Sequence, residues 1–599
     1  MKKMVFAAVS MVATAVFAEP VTVSTVDELV SELSACDGQT PKTIILAEGD
    51  YQLTSAQAYK SSSWGVSHLL IPSNVTLRGA GEKPENTRLI GDGATCRILQ
   101  LQSGCIVDNL TLTNGVTSGS EDKPSRGAAV AGDGGVVTNC VLIGNYAKGA
   151  GGAVTSSSKT NGIILERCTV LNNTGTTGGG VHSVRCYGCL IAGNSSRTGE
   201  GGGGYGSMLI DCVVSNNSTI ASKSGGGLCD SSATGTLFVN NIAKQRGGGV
   251  ASSGDSGFSG VYSNCTFVGN SGKYGGAANR VILLDCEIKY NAASSNGGGT
   301  YSCSNVNCTV SGNFATTYGG GLYLGVAQNT VISNNFSKNT GPNTYDADMF
   351  DCMVYGMAAA GGSATRCVFK GIGDVQSLTQ NQYWSTNQAS TYAYYNYPNA
   401  TNCLFVGNRL TSSSSALFCG VQVANKSSSA VNCTVVSNTY NYLVRYCRVK
   451  TYPMTFMNTV IYGNRNYLDT IDRDIHIATS GDNRCEVGAL IFDNCAYKTK
   501  SATLDLSGYT ADDSLYCFGE DGFGADPKFV LAKDAAHPYS LRLSSPLIGK
   551  GRVCDWMTGA YDIRGEADEG KYLRVRDGKV DIGCYQCWLN PVGMTVVVR

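Results

Sequence analysis

The sequence predicts an all-β fold, a single parallel β-helix (solenoid) with an N-terminal capping helix, and three observations carry the prediction. A Cys-to-Asn unit recurs as Cys140-Val-Leu-Ile-Gly-Asn145, Cys168-Thr-Val-Leu-Asn-Asn173, Cys189-Leu-Ile-Ala-Gly-Asn194, Cys212-Val-Val-Ser-Asn-Asn217, Cys265-Thr-Phe-Val-Gly-Asn270, Cys286-Glu-Ile-Lys-Tyr-Asn291 and Cys308-Thr-Val-Ser-Gly-Asn313. Gly-rich triplets alternate with it, among them Gly151-Gly-Ala-Val154, Gly178-Gly-Gly-Val181, Gly225-Gly-Gly-Leu228, Gly247-Gly-Gly-Val250, Gly297-Gly-Gly-Thr300 and Gly319-Gly-Gly-Leu322. The closing Asn residues at 270, 291, 313 and 335 are spaced 21 or 22 apart. A unit that short, with strands broken by Gly and Asn and no helical periodicity, is one coil of a solenoid.

A strand period of two places the Cys and the apolar residue two positions on inside the coil, with the residue between them outside. Successive coils then stack as parallel strands about 4.8 Å apart, so like residues fall on like residues. On that stacking the closing Asn tolerates a left-handed backbone and offers an amide to the next coil, while the Gly triplets supply positive φ at a tight turn. The triplets are not phosphate loops, because no Lys-Ser or Lys-Thr follows them and no helix opens after them.

In chain order, residues 1–18 read as a signal peptide: Lys2 and Lys3, an apolar run from Met4 to Phe17, and Val16-Phe17-Ala18 ahead of Glu19. No Cys stands at the cut, which argues against a lipoprotein anchor. Residues 19–108 form the N-terminal cap and first coils. Thr25-Val-Asp-Glu28 is a capping box, and Val26, Leu29, Val30 and Leu33 follow on one helical face. A helix there covers a sheet end that would otherwise invite aggregation. Residues 109–344 are regular coils. Residues 345–510 are irregular coils with inserts, keeping the pattern at Cys403-Leu-Phe-Val-Gly-Asn408 and Cys433-Thr-Val-Val-Ser-Asn438. Residues 511–599 are a C-terminal closing segment.

Forty-five basic residues balance 45 acidic ones with no run of like charge, so no nucleic-acid partner is expected. No mature segment reaches the roughly 18 consecutive apolar residues of a membrane helix. A secreted, extracellular or cell-surface monomer follows. All 25 Cys lie after the leader, and their repeat position favours buried free thiols acting as small apolar filler. Cys186 with Cys189, Cys303 with Cys308 and Cys584 with Cys587 stay open as disulfides. Cys584-x-x-Cys587 lacks the two further ligands that zinc needs, and His68, His182, His476 and His537 form no ligand spacing.

The chain resembles the secreted bacterial right-handed parallel β-helix proteins of the pectin-lyase-like superfamily. Its Phe267-Val-Gly-Asn270 and Phe405-Val-Gly-Asn408 signals look like repeats of polymorphic outer-membrane adhesins. Asp526-Pro-Lys-Phe529, Tyr539-Ser-Leu541, Ser545-Pro-Leu-Ile548, Asp562-Ile-Arg-Gly565 and Asp581-Ile-Gly-Cys-Tyr585 look like the closing segment of many such proteins. The resemblance implies that this segment ends the solenoid and often precedes a sorting anchor. Only fourteen residues follow Tyr585, too few for an anchor or an autotransporter barrel.

Polysaccharide hydrolases of this fold share Asn-Thr-Asp, Asp-Asp, Gly-His-Gly and Arg-Ile-Lys segments, and none lies in a coil here; Asp512-Asp513 reads as a solvated turn. Lyases of the superfamily use a basic residue to take a proton and often calcium, the one cofactor that reading implies. The acidic clusters Asp346, Asp348 and Asp351, and Asp469, Asp472 and Asp474, have the chemistry of a cation site, Arg445, Arg448 and Lys450 that of a base or carboxylate clamp, and these three with Asp469, Asp472 and Asp474 are the catalytic candidates. The aromatic insert Tyr383, Trp384, Tyr392, Tyr394, Tyr395 and Tyr397 is the candidate ligand surface, with cover for a solenoid flank as the alternative. The expected function is non-catalytic, adhesin-like binding of extracellular polymers or cell surfaces, and the alternative is a polysaccharide lyase or glycoside hydrolase acting on an acidic polysaccharide.

Overall fold

The computed structural model describes residues 19–61, 63–94, 96–118, 123–255, 257–372, 392–395, 399–410, 415–419, 427–466, 474–479, 484–498, 507–509, 515–518, 525–530, 537, 539–565 and 573–587. The chain forms two compact units, residues 1–197 with 203–212, and residues 198–202 with 213–599. Each is built of stacked parallel strands two to seven residues long, so the all-β parallel β-helix that the sequence and the resemblance imply is the observed fold. No helix among the described residues is long and apolar enough to cross a membrane.

In the first unit the predicted helix, α1, spans Val26–Ser34. Thr25 Oγ1 accepts from Glu28 N–H at 3.2 Å, and the Glu28 carboxylate accepts from Ser24 N–H at 2.7 Å, so the reciprocal bond reaches one residue before the cap. Leu29 and Leu33 are buried, and the helix packs on strands Lys42–Leu46 and Gly65–Ile71. Beyond it the coils keep strict register: Val107, Val137, Leu165, Cys186 and Leu209 form one inner column, and Leu112, Leu142, Val170 and Ile191 another.

The second unit repeats the arrangement. Its inner column runs through Phe238, Phe267, Ile288, Val310, Ile332, Val354, Phe369, Phe405, Val435, Ile461 and Tyr497. Where phenylalanines meet they stack, with centroids 4.7 Å apart for Phe238 and Phe267 and 4.6 Å for Phe369 and Phe405. Ring spacing therefore follows strand spacing.

Buried Asn columns join the coils in both units. Asn145 donates from its backbone N–H and its Nδ2 to Asn173 Oδ1 (2.9 and 3.0 Å), and Asn173 does the same to Asn194. In the second unit Asn217, Asn241, Asn270, Asn291, Asn313, Asn335 and Asn343 form one such chain. Each interior amide also donates to a strand carbonyl of the preceding coil, as Asn173 does to Leu142 O at 2.9 Å. The left-handed backbone lies one residue before the closing Asn, on Gly144, Asn172, Gly193, Asn216 or Gly269, and again on the residue before the Cys, such as Asn139, Arg167 or Asp211. The ladder Asn thus keeps ordinary angles, because the bend is completed before it.

The thiols do more than fill space. Cys168 Sγ donates to Val137 O in the coil before at 3.3 Å, while Cys168 N–H donates to Cys189 Sγ in the coil after at 3.4 Å. Cys352 and Cys367 repeat this, Cys367 donating its N–H to Cys403 Sγ. Where Thr330 and Thr459 take the position, the hydroxyl accepts from Cys308 N–H and Cys433 N–H and donates to a carbonyl instead. The 24 cysteines whose side chains are described are all free thiols, and of these only Cys36, Cys554 and Cys587 are partly exposed.

The described residues 539–565 and 573–587 of the closing segment lie along the flank of the later coils. Asn402, Asn458 and Asn494, each preceding a Cys or Thr, donate to Tyr561 O, Arg552 O and Lys550 O at 2.7, 2.8 and 2.7 Å. Leu547, Ile582, Cys584 and Tyr585 pack onto Leu404, Val406, Val436, Val460 and Ala496. This cover explains why Leu404–Val406 and Thr434–Val436 are buried at every residue, whereas strands such as Thr266–Val268 bury only the middle one.

Two outcomes follow. Asn291→Ala removes a buried donor and acceptor, costing about 1–3 kcal/mol, so its urea midpoint drops below that of the exposed control Asn339→Ala. A thiol reagent labels Cys36, Cys554 and Cys587 rapidly in the native protein, and the buried thiols only after guanidinium unfolding, because thiolate is the reactive form and burial pushes a thiol such as Cys140 up to about 12. Rapid labelling of Cys140, Cys168 or Cys286, located by mass spectrometry, contradicts the packing.

Candidate functional site

The second unit carries an outward column of tyrosines beside the Gly turns. The Gly that opens each of these turns, first of a triplet at Gly297 and Gly319 and single at Gly341, has positive φ, 69°, 63° and 65°. A Cβ there would lie 3.1, 2.9 and 3.0 Å from the Cβ of Tyr301, Tyr323 and Tyr345, four residues on. Glycine therefore clears the space from which each ring leaves the coil. Parallel register places Tyr301 beside Tyr323 and Tyr323 beside Tyr345.

The rings stack along the coils. Centroids are 4.9 Å apart at 24° for Tyr301 and Tyr323, and 5.4 Å at 7° for Tyr323 and Tyr345. Tyr274 and Tyr318, each just before a triplet, extend the group. Tyr274 meets Tyr301 edge-on at 5.5 Å, and Tyr318 lies 4.7 Å from Tyr345 and 6.5 Å from Tyr323. All five are half-buried. Burial, Tyr301 and Asp346 push the Tyr323 phenol above its ordinary value, so it stays a neutral donor at physiological pH. Lys273 Nζ sits 5.2 Å over the Tyr274 ring at one end. Sequence reading missed this surface, although the Gly-to-Tyr interval of four residues is visible in three successive units.

Of the expected aromatic insert, Tyr383, Trp384 and Tyr397 lie outside the described residues. Tyr392, Tyr394 and Tyr395 belong to strand Tyr392–Tyr395. Register sets Tyr345 beside Ala360 and Ala360 beside Tyr395, so Tyr395 occupies the same column position as the tyrosine stack.

The charged candidates occupy structural positions. Asp348 Oδ1 accepts from Ser363 N–H and Oγ at 3.0 and 2.6 Å, and Asp351 takes a bidentate pair from Arg366 at 2.6 and 2.7 Å. Asp346 and Asp351 are left-handed turn residues. Among the described residues no group of three or more His, Cys, Asp or Glu is disposed to hold a metal ion. Arg445 is buried, with its guanidinium 4.6 Å from the Tyr446 ring and Nη2 donating to Tyr446 Oη at 2.9 Å. Arg448 is half-buried and Lys450 exposed. Asp469 and Asp472 lie outside the described residues.

Asp474 has a definite role. It is buried and stands where the next ladder Asn would be: Oδ1 accepts from Asn464 N–H and Nδ2 at 2.8 and 3.3 Å, and Oδ2 accepts from Lys498 N–H at 2.7 Å. It ends the column formed by Asn408, Asn438 and Asn464.

No family model matches the chain, and no curated protein matches it. Among solved structures it is similar to the A-module of mannuronan C-5 epimerase AlgE4 of Azotobacter vinelandii, at 14% identity and a TM-score of 0.23 over 69% of this chain and 90% of that one. It is also similar to the catalytic unit of a GH87 alpha-1,3-glucanase of Streptomyces thermodiastaticus, at 12% identity and 0.24 over 68% and 64%. Pectate lyase Pel9A matches at 12% identity and 0.20 over 93% and 90%. At such values no activity transfers.

Replacement of Asp474 separates ladder end from acid–base group. Asp474→Asn keeps an acceptor for Asn464, while Asp474→Ala leaves Asn464 and Lys498 N–H without theirs. Urea midpoints are expected to fall in the order wild type, Asn, Ala, with about 1–3 kcal/mol lost for Ala. An unchanged midpoint for Asp474→Ala contradicts the structural role.

Proposed function

We propose that this chain is an exported, non-catalytic carbohydrate-binding scaffold that attaches to extracellular polymers or to the glycans of a cell surface. The observation that carries the reading is the half-buried tyrosine stack Tyr274, Tyr301, Tyr318, Tyr323 and Tyr345. Partly exposed tyrosines on a rigid sheet offer apolar contact and hydroxyl donors together, the combination that a sugar ring with one apolar and one hydroxylated aspect requires. Holding them costs little ordering entropy, since the coils set their spacing before any ligand arrives.

Two further observations support it. The candidate carboxylates Asp348, Asp351 and Asp474 are engaged in coil-to-coil hydrogen bonds, which leaves them poorly placed to exchange protons with a substrate. The leader with Lys2, Lys3 and the apolar run to Phe17 supports export.

The test is a glycan array and whole-cell binding assay of the mature chain, with Tyr301→Ala/Tyr323→Ala/Tyr345→Ala as the matched variant. Binding by the wild type, and its loss in a variant whose far-UV circular dichroism is unchanged, is the expected result. Absence of binding to every glycan and cell type overturns the proposal. Release of reducing ends or unsaturated products from a polysaccharide panel, with or without calcium, overturns its non-catalytic part.

A further inference from the structure

We infer that the tyrosine stack takes a neutral, linear glycan laid parallel to the stack of coils, one sugar residue per coil, held through phenol hydroxyls and ring edges instead of ring faces. This rests on the carbohydrate-binding reading above and narrows it to a ligand class and a mode of contact.

The mode of contact follows from the rings themselves. Tyr323 is sandwiched: one face meets Tyr301 at 4.9 Å and 24°, the other meets Tyr345 at 5.4 Å and 7°. One face of Tyr301 is used by Tyr323, and Tyr274 stands against it at 62°. Tyr345 is packed by Tyr323 and by the tilted Tyr318. The faces that would stack on sugar rings are thus largely spent on one another, leaving edges and hydroxyls to meet a ligand. Because these rings sit on successive parallel strands, they repeat at about the strand spacing of 4.8 Å, roughly the length of one hexose in an extended chain. A polymer lying along the coils meets one phenol per sugar, and one lying across them meets a single coil.

The ligand class follows from charge. The 48 residues from Tyr290 to Ser337 contain no Asp, Glu, Lys, Arg or His, although charged residues make up 15% of the chain. Those residues form the coils carrying Tyr301, Tyr318 and Tyr323, and the segments before their Gly triplets present Ser295 and Asn296 at a strand end and Thr316 and Thr317 in a bend, all half-buried. Charge borders this stretch on both sides, with Lys273 over Tyr274 and Arg280 bonded through its backbone N–H to Tyr301 O on one side, and with Lys338 and Asp346, close enough to act on Tyr323, on the other, so single charges flank the rings but no row of cations lines them. A polyuronate would lose hydration on such a surface without meeting a row of cations. Hydroxyl-rich neutral sugars find donors and acceptors of their own kind.

The experiment is isothermal titration with neutral linear glucan, mannan, galactan and xylan, and with polygalacturonate and alginate, each at low salt and at high salt. The variants are Tyr301→Phe/Tyr323→Phe/Tyr345→Phe, which preserves the ring stack, and the matching triple Ala. At least one neutral polymer is expected to bind with affinity unchanged by salt, and the Phe variant to lose at least about tenfold, as removal of several hydroxyl bonds implies. Affinity for oligosaccharides of the binding polymer should rise with length until the four coils of Tyr274, Tyr301, Tyr323 and Tyr345 are spanned. Salt-sensitive binding of the acidic polymers alone overturns the ligand class but leaves carbohydrate binding standing. A Phe variant that binds like wild type, or a monosaccharide that binds as tightly as a tetrasaccharide, overturns the mode of contact. Binding of none of the six polymers overturns the inference, and failure on the array and cells as well removes the carbohydrate reading beneath it.

Discussion

The turn of each coil is a buried stretch of backbone with no water to bond to, and the Asn amide is what satisfies it. One Oδ1 accepts two bonds from the Asn of the adjacent coil, and one Nδ2 returns a bond to a strand carbonyl. Each such bond contributes about 0.5–1.5 kcal/mol net, but a buried donor without a partner costs more than that. The column therefore acts as a register lock. A coil slipped by one residue would strand its amide and turn its apolar residues to solvent together.

With register locked, every side chain becomes a member of a column, and the chemistry of a column is set by what it repeats. The Cys column shows this most plainly. A thiol and a hydroxyl serve there equally because the position needs a small group that accepts from one coil and donates to another, which Cys168 and Thr330 both do. The tyrosine stack is the outward counterpart. Its spacing belongs to the strands, and glycine at the triplet opens the space that each ring leaves through. Rigidity of this kind is what a binding surface gains from a solenoid.

The same logic accounts for the charged residues that first suggested catalysis. Asp474 is among the catalytic candidates in the sequence, yet its carboxylate carries the Asn column on to Lys498 N–H. Asp351 and Arg366 face each other across neighbouring coils as a bidentate pair. The closing segment follows a further variation: Asn402, Asn458 and Asn494, which stand at left-handed turn positions, spend their amides on its carbonyls. The apolar outer residues Leu404, Val406 and Val436 then gain a cover that earlier coils lack.

Much of this was legible in the residues alone. The Cys-to-Asn repeat determined the coil, its inward residues and the Asn ladder, and Thr25 with Glu28 determined the helix, because these are local patterns whose partners recur at a fixed interval. The Gly-to-Tyr interval is equally local, but the aromatics after Tyr383 are denser in the sequence and mask it. Other features depended on which atoms the stacking brings together. The two-way hydrogen bonding of the thiols, the substitution of Asp474 for an Asn and the docking of residues 545–565 and 573–587 on a distant flank have no signature in spacing. Each is a choice among partners equally available along the chain, and only the three-dimensional register, by burying one pairing and excluding the rest, makes it.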